Sequence, residues 1–332
     1  MREVALEAGA EFACLPPSVQ YREDTDYALS ITLQELLEQA AGDTDGNDPN
    51  SGRQATEHLL VLPAECNFSG RKLDLAALQR ATSRLQASTP QHRVTVLLDA
   101  AKHVGTSPLD LRRFQEGEVD MICVSFYKLF GYPTGLGCLL LRTSVARRLL
   151  QLSLRGESNG STRSPLSLPP SDPAAGRPPC RRYFGGGTVL AVVPHADFRI
   201  LRPEPAQCLA DGTEDYLGIM ALKEGFRALK ECGGGGMDRI QAHTWTLTQF
   251  CYDQLTGLRH ATGQPVCEIY SPRPLSPERQ GAVLAFNVQR ADGAMVGYTE
   301  VEKLGALHGI QLRTGCFCNP GACPEALGLT LE

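Results

Sequence analysis

At 332 residues, with 42% hydrophobic and 21% charged side chains, the chain is long enough for a large core and ordinary in composition for a globular protein. Its net charge of −5 leaves no basic footprint for nucleic acid, and no apolar run approaches the roughly 20 residues of a membrane span. The twelve cysteines fall mostly in apolar runs, as at Cys123, Cys138 and Cys251, which suits buried free thiols in a reducing cytosol better than a disulfide scaffold. The opening Met-Arg-Glu-Val-Ala-Leu-Glu has neither a basic nor an apolar leader region, so a cytoplasmic protein is expected.

Residues 1 to 29 read as irregular, and Thr32 with Glu35 forms a capping-box pair ahead of Leu33, Leu36, Leu37 and Ala40, predicting a short helix. Residues 42 to 54 are turn formers with little to bury and predict a surface loop. His58 to Pro63 is an apolar strand leading into the polar cluster Ala64-Glu-Cys-Asn-Phe-Ser-Gly70. From Asp74 a helix places Leu78, Ala81 and Leu85 on one face, and a second apolar strand, Val94-Thr-Val-Leu-Leu, ends at Asp99. Ser107-Pro-Leu-Asp-Leu predicts another helix, with serine as cap and proline in the first turn.

Asp120-Met-Ile-Cys-Val-Ser125 is a third strand, and it delivers Lys128 just past its end; glycine-rich turns and a strand through Leu141 follow. Lysine among Phe126, Tyr127, Leu129 and Phe130 is a partly desolvated amine, suited to covalent carbonyl chemistry, although a surface lysine lying across apolar neighbours is the commoner arrangement. What raises its interest is Asp99. In a parallel sheet both residues face the crevice beyond the strand ends. A carboxylate to keep a pyridine nitrogen protonated and an amine to hold an aldehyde are the two groups that pyridoxal phosphate requires.

A helix near Ser144 comes next, and residues 153–182 are dense in Pro, Ser, Gly and Arg, as in a disordered insertion. After Tyr183-Phe-Gly-Gly-Gly-Thr188, the run Asp211-Gly-Thr-Glu-Asp opens a long helix with Thr213 as cap and Ile219, Leu222, Phe226 and Leu229 at helical spacing. Gly233 to Gly236 end it, and another helix runs from about Met237 to Leu255. Shorter segments follow: a strand over Gly281 to Val288, a capping box from Thr299 to Glu302, and a strand at Ile310 to Arg313. Cys316, Cys318 and Cys323 crowd a turn-rich loop whose Cys-x-Cys spacing fits zinc poorly, so no metal is expected there.

Taken together, Ser125-Phe-Tyr-Lys128, Asp99-Ala-Ala and Arg313-Thr-Gly-Cys-Phe-Cys-Asn-Pro-Gly-Ala-Cys323 resemble the aminotransferase-like domain of the molybdenum cofactor sulfurases, relatives of the cysteine desulfurases. The resemblance covers most of the chain outside the insertion and implies the α/β fold of pyridoxal-phosphate-dependent transferases of fold type I. That fold has a mixed, mainly parallel sheet with helices on both faces and a smaller α+β carboxyl-terminal domain. The corresponding divisions are 1–152 and 183–236 for the large domain, with 153–182 inserted, and 237–332 for the small one.

Several roles follow from the resemblance. Lys128 holds pyridoxal 5'-phosphate and carries the proton; Asp99 meets the ring nitrogen and Asn67 the phenolic oxygen. Ser125 and Tyr127 bind the phosphate, and Gly212 and Thr213 reach it from a dimer partner. Cys318 takes sulfur from L-cysteine as a persulfide, with Cys316 as the lesser candidate and Arg313 favouring the thiolate. The acceptor implied is desulfo-molybdenum cofactor. Lys102 stands where related desulfurases carry a glutamine near the ring, and its direction is left open between ring oxygen and solvent. The ring-stacking histidine and the carboxylate-gripping arginine of the relatives have no counterpart in this chain, so weak cofactor binding is expected. A general cysteine desulfurase and a non-catalytic interaction module are the alternative readings.

Overall fold

The computed structural model describes residues 56–88, 92–131, 135–149, 186–193, 195, 198–210, 212–232, 234–271, 273 and 276–329, together with residues 13, 32 and 35. The expected loop over 42–54 and the insertion over 153–182 lie outside them. Of the predicted amino-terminal helix, Thr32 and Glu35 are described, and both are helical. Contacts divide the chain into two compact units, one drawn from 141–221 and the other from 14–140 with 222–332.

The second unit holds a four-stranded sheet in the order β1-β2-β3-β4, with β1 at Thr56–Pro63, β2 at His92–Asp99, β3 at Met121–Ser125 and β4 at Gly137–Leu141. β1 and β2 run parallel from Thr56↔His92 to Pro63↔Asp99, and β2 and β3 run parallel from Leu97↔Met121 to Asp99↔Cys123. Helix α1, Leu75–Ser88, makes the crossover between the first two strands. Asp74 starts it, its carboxylate accepting the backbone N–H groups of Ala76 and Ala77 at 3.0 Å. The 3.6-residue spacing then turns Leu75, Leu78, Ala81 and Leu85 onto Leu60 and Leu62 of β1 and Val94, Val96 and Leu98 of β2. These positions form the main core, which Phe114, Val119 and Ile122 complete.

Asp120 sets the register of the third strand. It is buried; its carboxylate accepts Val96 N–H at 3.0 Å and Gly117 N–H at 3.3 Å, while its own N–H donates to the Val96 carbonyl. The segment before it is not the predicted helix. Only a 3-10 turn forms, at Leu111–Arg113, and its cap is Asp110, whose side chain accepts Arg112 N–H; Ser107 is buried instead of capping. Asp110 also grips the Arg112 guanidinium with both oxygens, which ends the turn early.

Beyond β3 a short helix, α2 at Phe126–Phe130, turns the chain towards β4. Its Phe126 and Phe130 stack at 5.9 Å, and Phe226 meets Phe130 edge-on at 5.0 Å. The first unit carries an antiparallel pair, β5 at Val189–Val193 with β6 at Phe198–Leu201, and helix α3 at Pro205–Leu209. Helix α4, Tyr216–Cys232, starts later than predicted: Asp215 caps it, accepting Gly218 N–H at 2.9 Å, and Thr213 stands outside. Much of its apolar surface is exposed, including Leu217 and Met220.

Helix α5 spans Met237–Gly257. The remaining elements are β7 at Cys267–Ile269, paired antiparallel with β8 at Phe286–Val288, then α6 at Tyr298–Leu307 and α7 at Ala322–Leu327. The strand expected over 281–288 shrinks to its last three residues, because residues 279–281 bond instead to the loop after β1: Lys72 N–H to the Arg279 carbonyl and Gly281 N–H to the Gly70 carbonyl. Gly297, not Thr299, precedes the first residue of α6, and Ile310 to Arg313 form no strand.

Replacing Asp120 by Ala leaves one buried and one part-buried N–H group without an acceptor. The expected loss is about 2–3 kcal/mol of unfolding free energy, measured by urea denaturation.

Candidate active site

Parallel pairing brings three strand ends to one edge. The loop after β1 carries Asn67, β2 ends at Asp99, and β3 ends at Ser125 with Lys128 in the short helix α2 that follows. The backbone fixes this: Ala64 N–H donates to the Asp99 carbonyl at 2.8 Å and Ala100 N–H to that of Cys123 at 3.1 Å. Asp99 is exposed, and one of its oxygens accepts Ala101 N–H at 3.0 Å. Burial, and then Asp99 itself, push the neighbouring Cys123 thiol up to about 11, so this cysteine stays protonated near neutrality.

Lys128 is half-buried, as its apolar neighbours predict. Its Nζ lies 6.0 Å from the centre of the Tyr127 ring, and among the described residues it has no carboxylate partner. The close approach of Gly105 holds its backbone: a Cβ there would sit 2.9 Å from the Lys128 carbonyl oxygen. Ser125 occupies the cap position of α2 without bonding to the helix, and Tyr127 is 48% exposed. The side chain of Asn67 makes no hydrogen bond among the described residues. Gly212 and Thr213 belong to the other compact unit.

Lys102 points to neither of the two destinations left open by the sequence. Its Nζ lies 2.8 Å from Oε1 of Glu65, a carboxylate whose side chain is wholly buried. Sequence reading missed Glu65, which looks like an ordinary polar residue at a strand end; the only signal is its place two residues before Asn67, opposite Lys102 three residues after Asp99. Gly281 packs so closely that a Cβ would run into the Glu65 carboxylate.

His103 completes this cluster. Burial, with Lys72 and Lys102 nearby, lowers its pKa to about 4. Glu65 Oε2, 3.9 Å away, favours the protonated ring, but Lys102 already engages that carboxylate and burial outweighs the contact. Nε2 faces the Pro108 carbonyl at 3.3 Å, which places the ring proton there. Burial likewise lowers the pKa of Lys72, whose ammonium donates to the Pro277 carbonyl.

The cysteine loop docks beside Asn67. Asn319 Nδ2 donates to Cys66 Sγ at 3.2 Å, and the Phe317 ring lies 6.3 Å from Phe68, in a small core with Ala285, Ala322 and Cys323. Cys66 and Phe68 flank Asn67, whereas Phe317 and Asn319 flank Cys318. Cys318 is exposed and free. Cys316 is bonded to Cys323, so the expectation of free thiols fails for this pair, and Cys316 as found is no thiolate. Cys251, expected to be buried, is exposed. Arg313 lies over the Phe317 ring at 5.3 Å. Phe317 and Cys318 have φ of 52° and 59°, the only left-handed residues other than glycine among those described. Such conformations cost of order 1 kcal/mol each and persist where surrounding contacts fix them.

Charged and nucleophilic groups at the carboxyl edge of a mostly parallel sheet mark a class, and the family model for aminotransferase class-V matches residues 79–202. A mostly parallel sheet with helices is the α/β arrangement expected from the sequence. More particularly, the chain is similar to the molybdenum cofactor sulfurases. It is 42% identical over 296 residues to molybdenum cofactor sulfurase of Bos taurus, covering 88% of this chain and 29% of that protein. The Homo sapiens protein is 40% identical over 277 residues, covering 83% and 27%, and that of Arabidopsis thaliana 39% over 341 residues, covering 99% and 37%. The chain thus spans about a third of the length of these curated relatives. A solved NifS-like protein from Rickettsia africae superposes with a TM-score of 0.48 at 15% identity, over 90% of this chain and 57% of that one.

Because the folded-state pKa of His103 is depressed from 6.5 to about 4, the unfolded chain binds the extra proton as pH falls. Stability is therefore expected to decline from pH 6.5 to pH 4, by up to about 3 kcal/mol from this residue. His103→Gln should flatten that part of the profile of melting temperature against pH.

Proposed function

We propose that this chain forms part of a pyridoxal-phosphate-dependent sulfurase that takes sulfur from L-cysteine onto Cys318 and passes it to desulfo-molybdenum cofactor. Homology to the molybdenum cofactor sulfurases supports the reaction class. The single observation that carries the assignment to residues is the docking of the Cys318 loop, through Asn319 and Phe317, onto the strand-end loop that presents Asn67. A sulfur acceptor is thereby tied to the sheet edge where Asp99 and Lys128 emerge.

The residues present fit pyridoxal phosphate. Among the described residues, an amine without a carboxylate partner, an exposed carboxylate and an amide without a hydrogen bond stand on three neighbouring strand ends. When bound, that group supplies the electron sink for bond cleavage at the amino-acid Cα. Lys128 holds the aldehyde and then moves the Cα proton. Asp99, exposed at the end of β2, keeps the ring nitrogen protonated. Asn67 meets the ring oxygen, and the hydroxyls of Ser125 and Tyr127 donate to phosphate.

Lys102 takes no direct part, since Glu65 holds it. Cys318, exposed on its loop, attacks the substrate sulfur; the substrate C–S bond breaks with its electron pair on carbon, which is protonated and leaves as alanine, and Cys318 holds the sulfur as a persulfide for the acceptor. Gly212 and Thr213 reach the phosphate of a partner subunit in a cytoplasmic homodimer, and the exposed apolar face of α4 provides surface for such pairing.

Titrated with excess pyridoxal phosphate, the chain should develop a near-visible absorbance band that gel filtration largely strips, and Lys128→Ala should abolish that band. With labelled cysteine, Cys318→Ser should lose protein-bound sulfur at least tenfold while Cys316→Ser keeps it. An unchanged band in Lys128→Ala, or label lost only in Cys316→Ser, overturns the assignment.

A further inference from the structure

Three cysteines occupy eight residues, and only two of them are bonded to one another. A free thiol beside a disulfide exchanges with it wherever it can reach along the S–S axis. The reaction needs no outside oxidant. The Cys318 thiolate attacks Cys323 Sγ, a Cys318–Cys323 bond forms, and the Cys316–Cys323 bond breaks. The electron pair leaves on the Cys316 sulfur, which takes up the proton that Cys318 gave away. Two electrons move within the loop, and one thiol and one disulfide remain. The product would have its reactive sulfur at Cys316 and none at Cys318.

We propose that Phe317 and Asn319 are positioning residues that hold the Cys318 thiol out of line with the Cys316–Cys323 disulfide, so that it stays free to carry sulfur. The sulfur-carrying clause rests on the function proposed above, but the positioning does not. Both flanking residues are fixed to groups outside the loop. The Phe317 ring packs on Phe68 and lies beneath the Arg313 guanidinium, and Asn319 donates to Cys66 Sγ. Within the loop, Asn319 N–H donates to the Cys316 carbonyl at 3.0 Å, and the Asn319 Oδ1 accepts Ala322 N–H at 3.0 Å. Between these anchors the backbone passes through left-handed conformations at Phe317 and Cys318. Left-handed φ at two successive residues is rarely adopted by L side chains, and the anchors on either side are what hold it. The outcome is an exposed Cys318, while Cys323 is 2% exposed.

The test is peptide mapping by mass spectrometry of the whole chain, held without reductant at pH 8 and then alkylated. Cys251, exposed on α5 and free, is the internal standard. In the unaltered chain we expect the Cys316–Cys323 bond, with Cys318 alkylated as fully as Cys251. Phe317→Ala and Asn319→Ala should raise Cys318–Cys323 or Cys316–Cys318 peptides at least tenfold, with matching alkylation at the sulfur released. Phe317→Tyr should keep the original pattern. Arg313→Ala removes only the outer contact on the ring and should give a smaller rise, so the proposal stays testable if an inner variant unfolds, which a melting curve reports. Unchanged pairing in the variants, or equal exchange in the unaltered chain, overturns it. The readout needs no pyridoxal phosphate: if the pairing behaves as expected while Lys128 gives no cofactor band, the positioning stands and the functional reading falls.

Discussion

The parallel register of β1, β2 and β3 is the constraint on which the rest of the structure depends. Pro63 pairs with Asp99 and Asp99 with Cys123, so three chain segments emerge at the same edge, each one strand spacing from the next. Every residue assigned to cofactor chemistry in this unit follows from that alignment. A slip of one residue would turn Asp99 to the opposite face of the sheet. The buried Asp120 carboxylate opposes such a slip by bonding β2 to the start of β3.

A second layer of polar contacts braces the same edge from beneath. Glu65 and Lys102 join the loop after β1 to the loop after β2, and Gly281 closes over their carboxylate. An ion pair in such a place adds little net stability over an apolar pair, but removing one partner leaves an uncompensated buried charge. The pair therefore acts mainly on specificity: with Glu65 and Lys102 committed to each other, neither is available to the Asn67–Asp99–Lys128 edge. A neutral His103 beside them adds no further positive charge.

Much of this was legible in the chain, for physical reasons. Strongly apolar runs over 58–63, 94–98 and 121–124 could only be buried strands, and Asp74 with Leu78, Ala81 and Leu85 could only be a capped amphipathic helix. The polar strand ends then named Asp99 and Lys128. What stayed hidden depends on contacts between distant segments. Ser107-Pro-Leu-Asp-Leu has the composition of a helix start, but Asp110 and Arg112 closed a tighter turn. Gly281 to Val288 has the apolar content of a strand, yet its first residues bond to the loop after β1. Glu65, Lys102 and the bonding of Cys316 to Cys323 carry no periodic signal at all, since each is fixed by a partner that sequence spacing does not reveal.

The loop bearing Asn67 is held largely by residues some two hundred positions later. Gln280 Nε2 donates to the Ser69 carbonyl across 211 residues, and Lys72 Nζ donates to the Pro277 carbonyl across 205. On the ribosome, the strands can assemble while this loop still lacks its supports. A nascent chain halted before residue 277 would lack both of these supports for the loop.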